Sequence, residues 1–542
     1  MNDRLIVVVS GPVAGGKSAL ARTLARRFAG VRLSTREVLM QSKPPGAPST
    51  RLELQALGAR LDEETGGAWV ADRLSQKIYA AIEAAAREHR QPLVIIDAAR
   101  IAGQLDGLRR AFGRDVRHVH VTADRATCAE RYVERQAREE FQEAASYEEV
   151  MQDPTEQQIE SLGQIADILI DTARSSREDV LVRAAAGLGL LDCEHAPCVD
   201  AVIGGLYGSE GKGNICYHMA PEYDLLVRVG GPNAAHKVPL PSGEAFTHFL
   251  LPSGTRNSQA DLLLGPGTVF TLDELFDEIS RCDIWEKRLS IDPHAMIIEP
   301  SDKIKEAELR ERIASTASGA GYATARRVLR SKDVRLAGDV DDLEPYIRPA
   351  SEILEDSYRS RRRIMLEGTQ GSGLSLLHGK YPWVTSRDTN VAGCLSESGI
   401  APARLRKIVL VVRSFPIRVG GPSGPLTKEI SWEQVDQQAG LPTGTLRKRE
   451  LTSKTGTLRR VGEFEWDLLR KAALLNSPTD IALTFADYLH PSNGQAWRFN
   501  QLDSGTIQFI DELERVCGAR VSMISTGFLQ YGHRVLIDRR DW

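Results

Sequence analysis

Leu5-Ile-Val-Val-Val-Ser10 runs straight into Gly11-Pro-Val-Ala-Gly-Gly-Lys-Ser18, and a second stretch repeats the plan: Ala201-Val-Ile-Gly-Gly205, then Leu206-Tyr-Gly-Ser-Glu-Gly-Lys-Gly213. Each stretch is an apolar run, a glycine turn closing on Gly-Lys, and the start of a helical pattern. Backbone N–H groups in such a turn point at phosphate oxygens, and the helix N-terminus adds a positive dipole end. The two loops therefore predict two phosphate-binding units, each at the carboxyl end of a strand.

Working outward, residues 3–185 alternate strand and helix patterns. Leu93–Asp97 and Arg117–Val121 read as strands; Ser18–Phe28, Ala68–Ala86 and Arg125–Phe141 read as helices. From about residue 200, strand runs recur at Asp261–Leu264, Arg363–Leu366, Ile408–Val412, Ile481–Phe485 and Val521–Ser525. Alternation of this kind predicts parallel sheets with helices on both faces. The expected fold class is α/β with two domains, 1–187 and 200–542, joined by a linker at 188–199. Cys193, His195 and Cys198 sit in that linker, but no second ligand pair at metal-site spacing follows, so it reads as a plain connection.

Composition bounds the rest. In 542 residues, 42% are apolar and 26% charged, enough for sizeable cores. Lys plus Arg total 69 against 73 Asp plus Glu, a net charge of −4, which argues against a nucleic-acid backbone as partner. No run reaches the ~18 apolar residues of a membrane span, and the N-terminus lacks a signal-peptide pattern. Seven scattered cysteines fit a reducing cytoplasm.

The first loop has the full spacing of a P-loop. Gly11 and Gly16 shape the cradle, Lys17 supplies charge to the terminal phosphates, and the Ser18 hydroxyl can ligate Mg²⁺. Leu33-Ser-Thr-Arg-Glu-Val-Leu39 resembles the segment after the first helix of nucleoside monophosphate kinases. Asp97 ends a strand and can help position Mg²⁺. Arg125, Arg131, Arg135 and Arg138 fall at helical spacing, as lid arginines or as a solvated face. The first domain thus resembles a small P-loop kinase of nucleotide-kinase type; its acceptor is not readable.

The second domain carries an ordered series: Tyr207–Gly213, Arg228-Val-Gly-Gly-Pro-Asn-Ala-Ala-His236, His248-Phe-Leu-Leu-Pro-Ser-Gly254, Leu366-Glu-Gly-Thr-Gln-Gly371, His378–Ser386, Arg459-Arg-Val-Gly462, Thr484-Phe-Ala-Asp487 and Ile524-Ser-Thr-Gly527. This series resembles the adenylosuccinate synthetase family in its short form. The resemblance implies an enzyme in which a nucleoside triphosphate phosphorylates O6 of a purine monophosphate and L-aspartate then displaces that phosphate. It makes Gly208, Gly211 and Gly213 the cradle and Lys212 its cation. His236 becomes the general acid, Gln370 the purine contact and Thr385 a phosphate contact. Arg459 joins the aspartate- and nucleotide-contacting loop, and Asn233, Thr316, Ser525 and Gly527 become nucleotide contacts. A homodimer is implied as well.

Three departures from the family pattern bear on substrate. The loop aspartate, catalytic base and Mg²⁺ ligand in the family, is Ser209 here. A serine hydroxyl is a poor proton acceptor at neutral pH, but it leaves room beside purine N1, where guanine carries its 2-amino group. The same swap marks the phage-type 2-aminoadenylosuccinate synthases, which use dGMP. The guanine-reading Lys of the donor motif is Phe485, beside Asp487, which favours ATP or dATP over GTP. Thr457 and Leu458 replace two arginines, which weakens the demand for a ribose 2′-hydroxyl. Ala235 and Lys237 also depart, leaving the Ala235 carbonyl as a Mg²⁺ ligand. The leading expectation is an ATP-dependent ligase joining aspartate to (d)GMP, fused to a kinase-like unit. The alternatives are a divergent enzyme acting on IMP, and a nucleotide-sensing protein whose ligase no longer turns over.

Overall fold

Leu5–Ser10 is fully buried along its length, and its side chains divide by parity. Leu5, Val7 and Val9 pack with Leu20, Leu24 and Val121 on one face, while Ile6 and Val8 pack with Leu74, Ile78 and Ile96 on the other. A strand apolar on both faces is one covered by helices on both sides. Each such side chain removed from water contributes ~1.5–3 kcal/mol. The computed structural model describes residues 4–43, 51–88, 91–137, 146–191, 194–240, 242, 244–452, 456–527 and 536–540. The chain divides into two compact units, Met1–Leu191 and Asp192–Trp542.

In the first unit, β1 (Leu5–Ser10), β2 (Val31–Ser34), β3 (Leu93–Asp97), β4 (Val116–Thr122) and β5 (Ile168–Asp171) form one sheet in the order β2-β3-β1-β4-β5. Every pairing is parallel. The P-loop leaves the central strand, and α1 (Lys17–Arg27) follows it. The helix expected at Arg125–Phe141 is described over Arg125–Ala137; the remainder, with Arg138, lies outside the described residues.

The second unit is built on nine strands. Their order is Leu289–Ile291, Asp261–Leu264, Leu225–Arg228, Ile364–Gly371, Val199–Gly204, Leu405–Arg413, Asp480–Thr484, Arg520–Ser525 and Leu536–Asp538. Only the last pairing is antiparallel. Parallel strands all end at one edge of the sheet, and ligands of open α/β sheets bind in the crevice outside those ends. Gly204, Arg228, Gly371, Arg413, Thr484 and Ser525 are among the residues that end there. The strand expected over Ile481–Phe485 stops at Thr484, because Phe485 turns into the left-handed region at φ 57°.

Two small additions complete the crevice. A hairpin pairs His236–Pro239 with Ala245–His248, placing His236 opposite His248. A three-stranded sheet of Ile417–Arg418, Arg460–Gly462 and Glu429–Ile430 carries the arginine loop. Among the described residues no helix is long and apolar enough to cross a membrane.

Candidate functional site

In the first unit, Gly16 takes φ 98° as the residue that caps α1, a conformation open to glycine. Lys17 Nζ donates to the Pro12 carbonyl at 3.0 Å, across its own loop. Ser18 Oγ donates to Asp97 Oδ1 at 2.9 Å, and Arg32 holds Oδ2 through Nε at 2.9 Å. A hydroxyl and a carboxylate side by side beneath a phosphate cradle suit a hard divalent cation. They would hold Mg²⁺, which neutralises charge on a transferring phosphoryl group. The loop opens on a cavity of about 400 Å³.

The expected lid arginines separate. Arg135 lines the cavity. Arg131 instead donates to Thr172 Oγ1 at 2.9 Å and to the Thr172 carbonyl at 2.8 Å. Thr172 Oγ1 in turn donates to the Gly15 carbonyl at 3.0 Å, so Arg131 braces the loop from below. Arg125 is exposed on its helix.

The ligase loop follows Val199–Gly204 and opens α2 (Lys212–Met219), capped by Gly211 at φ 81°. Its internal wiring centres on Glu210, which sequence reading passed over. Glu210 Oε1 accepts from the Leu206 N–H at 3.1 Å and the Gly208 N–H at 2.7 Å, while Oε2 accepts from Lys212 Nζ at 2.6 Å. Both charges are buried, and Lys212 is 2% exposed. Gly213 has no room for a side chain: a Cβ there would lie 2.9 Å from His236 Cβ. That close approach sets the hairpin directly against the loop.

His236 belongs to a buried cluster. Its Nδ1 bonds Glu367 and lies 3.2 Å from Ser253 Oγ. Glu367 also accepts from the Ser253 N–H at 2.7 Å, from Ser253 Oγ at 2.5 Å and from Arg228 at 3.2 Å. Burial, then the Arg228 charge, push the His236 imidazole down to about 4. Burial works the other way on Glu367, but Arg228 and His236 outweigh it and hold its carboxyl well below the usual range. So lowered, the imidazole is neutral near pH 7, its Nδ1–H donating a hydrogen bond to the Glu367 carboxylate and its Nε2 carrying no proton. A proton at Nε2 needs added negative charge nearby, such as a bound phosphate supplies.

Among the described residues around this crevice, Ser209 at φ 54°, Ala314 at φ 54°, Gln370 at φ 56° and Phe485 at φ 57° take left-handed backbone without being glycine. Each such residue costs about 1–3 kcal/mol, and such strain gathers at functional sites. Gln370 stands next to last in the strand Ile364–Gly371, its Oε1 accepting from Thr369 Oγ1 at 3.0 Å. A Cβ on Gly208 would lie 3.7 Å from Gln370 Cα, and one on Gly211 3.6 Å from the Phe485 ring.

Ser209, Asn233, Ala235, Thr316 and Arg459 line one cavity of about 440 Å³, together with Thr457 and Arg310. No Asp or Glu lines it among the described residues. Thr385 is half-buried, its N–H donating to the Leu374 carbonyl at 2.9 Å. Ser525 ends its strand and Gly527 follows two residues on. Thr455 of the arginine loop lies outside the described residues.

A second network went unread in the sequence. Arg413, fully buried, donates to the Ser209 carbonyl at 3.1 Å and to Glu450 at 3.0 Å. Its guanidinium lies 4.1 Å from the centre of the Phe485 ring. Glu450 also accepts from Tyr488 at 2.9 Å and Arg459 at 3.2 Å. One carboxylate thus ties Ser209, Phe485 and Arg459 together. Asp487, pushed up to about 6 by burial, follows Phe485 by two residues. An arginine closing the apolar run Ile408–Val412 was the signal available, since a buried charge needs a partner.

The family model described as adenylosuccinate synthetase matches residues 201–342 and 334–494, and one described as an AAA domain matches residues 6–159. An adenylosuccinate synthetase of Thermococcus onnurineus is 35% identical over 348 residues, 63% of this chain and 98% of that protein. The fully ligated adenylosuccinate synthetase of Plasmodium falciparum shares the fold, with a TM-score of 0.57 at 20% identity. That match covers 64% of this chain and 100% of the other. The cyanophage S-2L succinoaminodeoxyadenylate synthetase, solved with dGMP and with dATP as energy donor, is 27% identical with a TM-score of 0.53. It covers 61% of this chain and 93% of that one. The chain belongs to the adenylosuccinate synthetase family, as a ligase of that type that also carries a P-loop kinase-like domain.

Proposed function

We propose that the second unit joins L-aspartate to C6 of a purine monophosphate carrying a 2-amino group, dGMP in preference to IMP, with ATP or dATP as donor. The supporting observation is the cavity lined by Ser209 without any Asp or Glu among the described residues. Purine O6 attacks the γ-phosphorus, the bond to the β–γ bridging oxygen breaks, and the nucleoside diphosphate leaves. The purine N1 proton passes to solvent as O6 takes the phosphoryl group. The aspartate amine then attacks C6, gives up a proton to solvent, and the O6 phosphate departs. His236 Nε2, charged once phosphates sit beside it, protonates or hydrogen-bonds the departing oxygen. Gly208, Gly211 and the α2 N-terminus cradle phosphate, and Arg459 with Arg310 offers charge to the anionic substrates. A cation there would rest on phosphate oxygens with Ser209 and the Ala235 carbonyl, since Glu210 is already committed to Lys212.

The cyanophage protein, solved with dGMP and dATP, supports this reading by likeness. Phe485 supports the donor half, because a ring flanked by Arg413 stacks on a purine without requiring guanine. The test is kcat/KM for dGMP, GMP and IMP in the unmodified protein and in Ser209→Asp. The unmodified protein should favour the 2-amino purines by ~10-fold or more, and the carboxylate should shift preference towards IMP. An unmodified protein that prefers IMP overturns the proposal in favour of the IMP reading.

A further inference from the structure

The acceptor of the P-loop unit is the open question, and its cavity has a definite chemistry. It is lined by Lys17 and five arginines, Arg36 and Arg135 among them, against three carboxylates. That balance favours an anionic acceptor. The three carboxylates narrow it further. Asp97 has one oxygen on Ser18 and the other on Arg32. Asp62 accepts from Trp69 Nε1 at 2.6 Å and from Gln104 Nε2 at 2.9 Å. Glu37 is mostly exposed, at the rim beside Arg32. All three are thus engaged or displaced from the loop, which leaves the transfer end poor in groups to take a proton from an alcohol. A phosphate oxygen, already ionised, needs no base.

The wall away from the loop suits a planar base. Asp62, Trp69 and Gln104 form one hydrogen-bonded array, with Leu39 and Leu54 offering apolar contact. Gln55 Nε2 is buried there without a hydrogen-bond partner among the described residues. A buried donor of that kind is matched by a ring nitrogen or carbonyl.

We infer that the first unit is a phosphotransferase whose acceptor is a nucleoside monophosphate. The acceptor's phosphate oxygen attacks the γ-phosphorus of ATP, the bond to the β–γ bridging oxygen breaks, and a nucleoside diphosphate forms as ADP leaves. Arg36 and Arg135 hold the acceptor phosphate, and the Asp62–Trp69–Gln104 wall holds the base. The inference stands apart from the ligase reading, since it rests on residues of the first unit alone.

The test uses the full chain with ATP and Mg²⁺ but no aspartate. Acceptors are dGMP, GMP, dAMP and dTMP against 2′-deoxyguanosine and gluconate, with products identified by mass. At least one monophosphate should give its diphosphate, and neither hydroxyl acceptor should be phosphorylated. Lys17→Ala should abolish the product. Arg36→Met should raise the KM for the monophosphate by ~10-fold or more and move the KM for ATP far less. A nearly unchanged KM for ATP, with an unchanged thermal melt of the full chain, reports that the first unit of this variant is folded. Phosphorylation of a hydroxyl acceptor, or ATP turnover indifferent to every acceptor, overturns the inference. Neither result touches the ligase proposal, which is read only when aspartate is present.

Discussion

Lys17 and Lys212 each follow a left-handed glycine that caps a helix, Gly16 at φ 98° and Gly211 at φ 81°. The local device is the same, yet the surroundings divide the two loops. Lys17 is half-buried and reaches the Pro12 carbonyl. Lys212 is sealed against Glu210, and that carboxylate also gathers the Leu206 and Gly208 N–H groups. After the lysine, the first loop has a hydroxyl beside Asp97, whereas the second has Gly213 pressed on His236. The first loop thus presents charge and a hydroxyl to a cavity. The second neutralises its charge internally and uses the space gained to bring an imidazole close.

The largest contrast should appear when each lysine is removed. Lys212→Ala leaves Glu210 buried without its cation, and breaking a buried pair costs ~3–5 kcal/mol. It should abolish ligation and lower the melting temperature of the second unit. Lys17→Ala removes a half-buried cation held at the Pro12 carbonyl and should abolish phosphoryl transfer in the first unit, with ligation and melting nearly unchanged. Activity assays beside calorimetry on both variants decide the matter. Equal melting of the two would show that the Glu210 wiring does not carry stability.

Next in size is His236→Asn, expected to cost ~10²–10⁴ in ligation turnover while the protein stays folded. Glu367→Gln probes positioning through the same ring: it should lower kcat and shift the pH profile, since the charge facing Nδ1 is gone. Near-normal turnover in folded His236→Asn would reduce that histidine to a structural part of the hairpin. It would also remove the reason for packing it against Gly213.

Much of this comparison was legible in the chain, and the illegible part has a physical cause. Both loops, β3, Asp261–Leu264 and Arg520–Ser525 follow from short apolar runs bounded by turn residues, which is local information. His236, Ser209 and Arg459 were legible through the motifs around them. Glu210 and Glu367 stood inside those same motifs. Glu210 meets Lys212 only two residues on, but spacing does not show that the carboxylate turns inward to it. Glu367 depends on a partner that topology supplies, His236 at a separation of 131 residues. Arg131 read as a lid arginine or as part of a solvated face because helical spacing describes a face and not what the face meets. Phe485 read as the end of a strand because its left-handed turn leaves no mark in an apolar run.

Acidification should separate the units by a smaller margin. In the first unit, Ser10 Oγ lies 2.7 Å from both His118 and His120. Burial lowers both histidines, and the neighbouring His118 and Lys17 help push His120 down to about 4. His120 stays neutral down to about 4 when folded and titrates near 6.5 when unfolded, and His118 shifts in the same direction, so the unfolded chain binds more protons as pH falls below 6.5. The stability they permit is present above pH 6.5 and is lost as pH falls towards 4. His120 alone accounts for a loss of at most about 3 kcal/mol. His236 imposes the same sign on the second unit through a single ring, so the first unit should melt earlier as pH drops from 7 to 5. Replacing His120 with Gln should flatten that dependence, as thermal melts across pH would show. A first unit insensitive to pH over that range would mean both histidines find compensating charge.

The smallest effect concerns the donor base, where the two loops differ in what stands beyond the lysine. The second loop's Gly211 faces Phe485, and Arg413 lies 4.1 Å from that ring. Phe485→Leu should weaken ATP by roughly tenfold in KM, the scale of one base–aromatic stack, and leave kcat within a few-fold. Asp487 gives the same question a pH handle. Its carboxyl is pushed up to about 6, so it is charged above that pH and neutral below it. Guanine offers two N–H donors to a carboxylate and adenine does not. Any activity with GTP should therefore fade as pH falls through 6, while activity with ATP should hold apart from the general decline seen with both. Measuring kcat/KM for the two donors from pH 7.5 to 5.5 separates them. If ATP and GTP fall together, Asp487 does not read the base, and donor choice rests on the Phe485 stack alone.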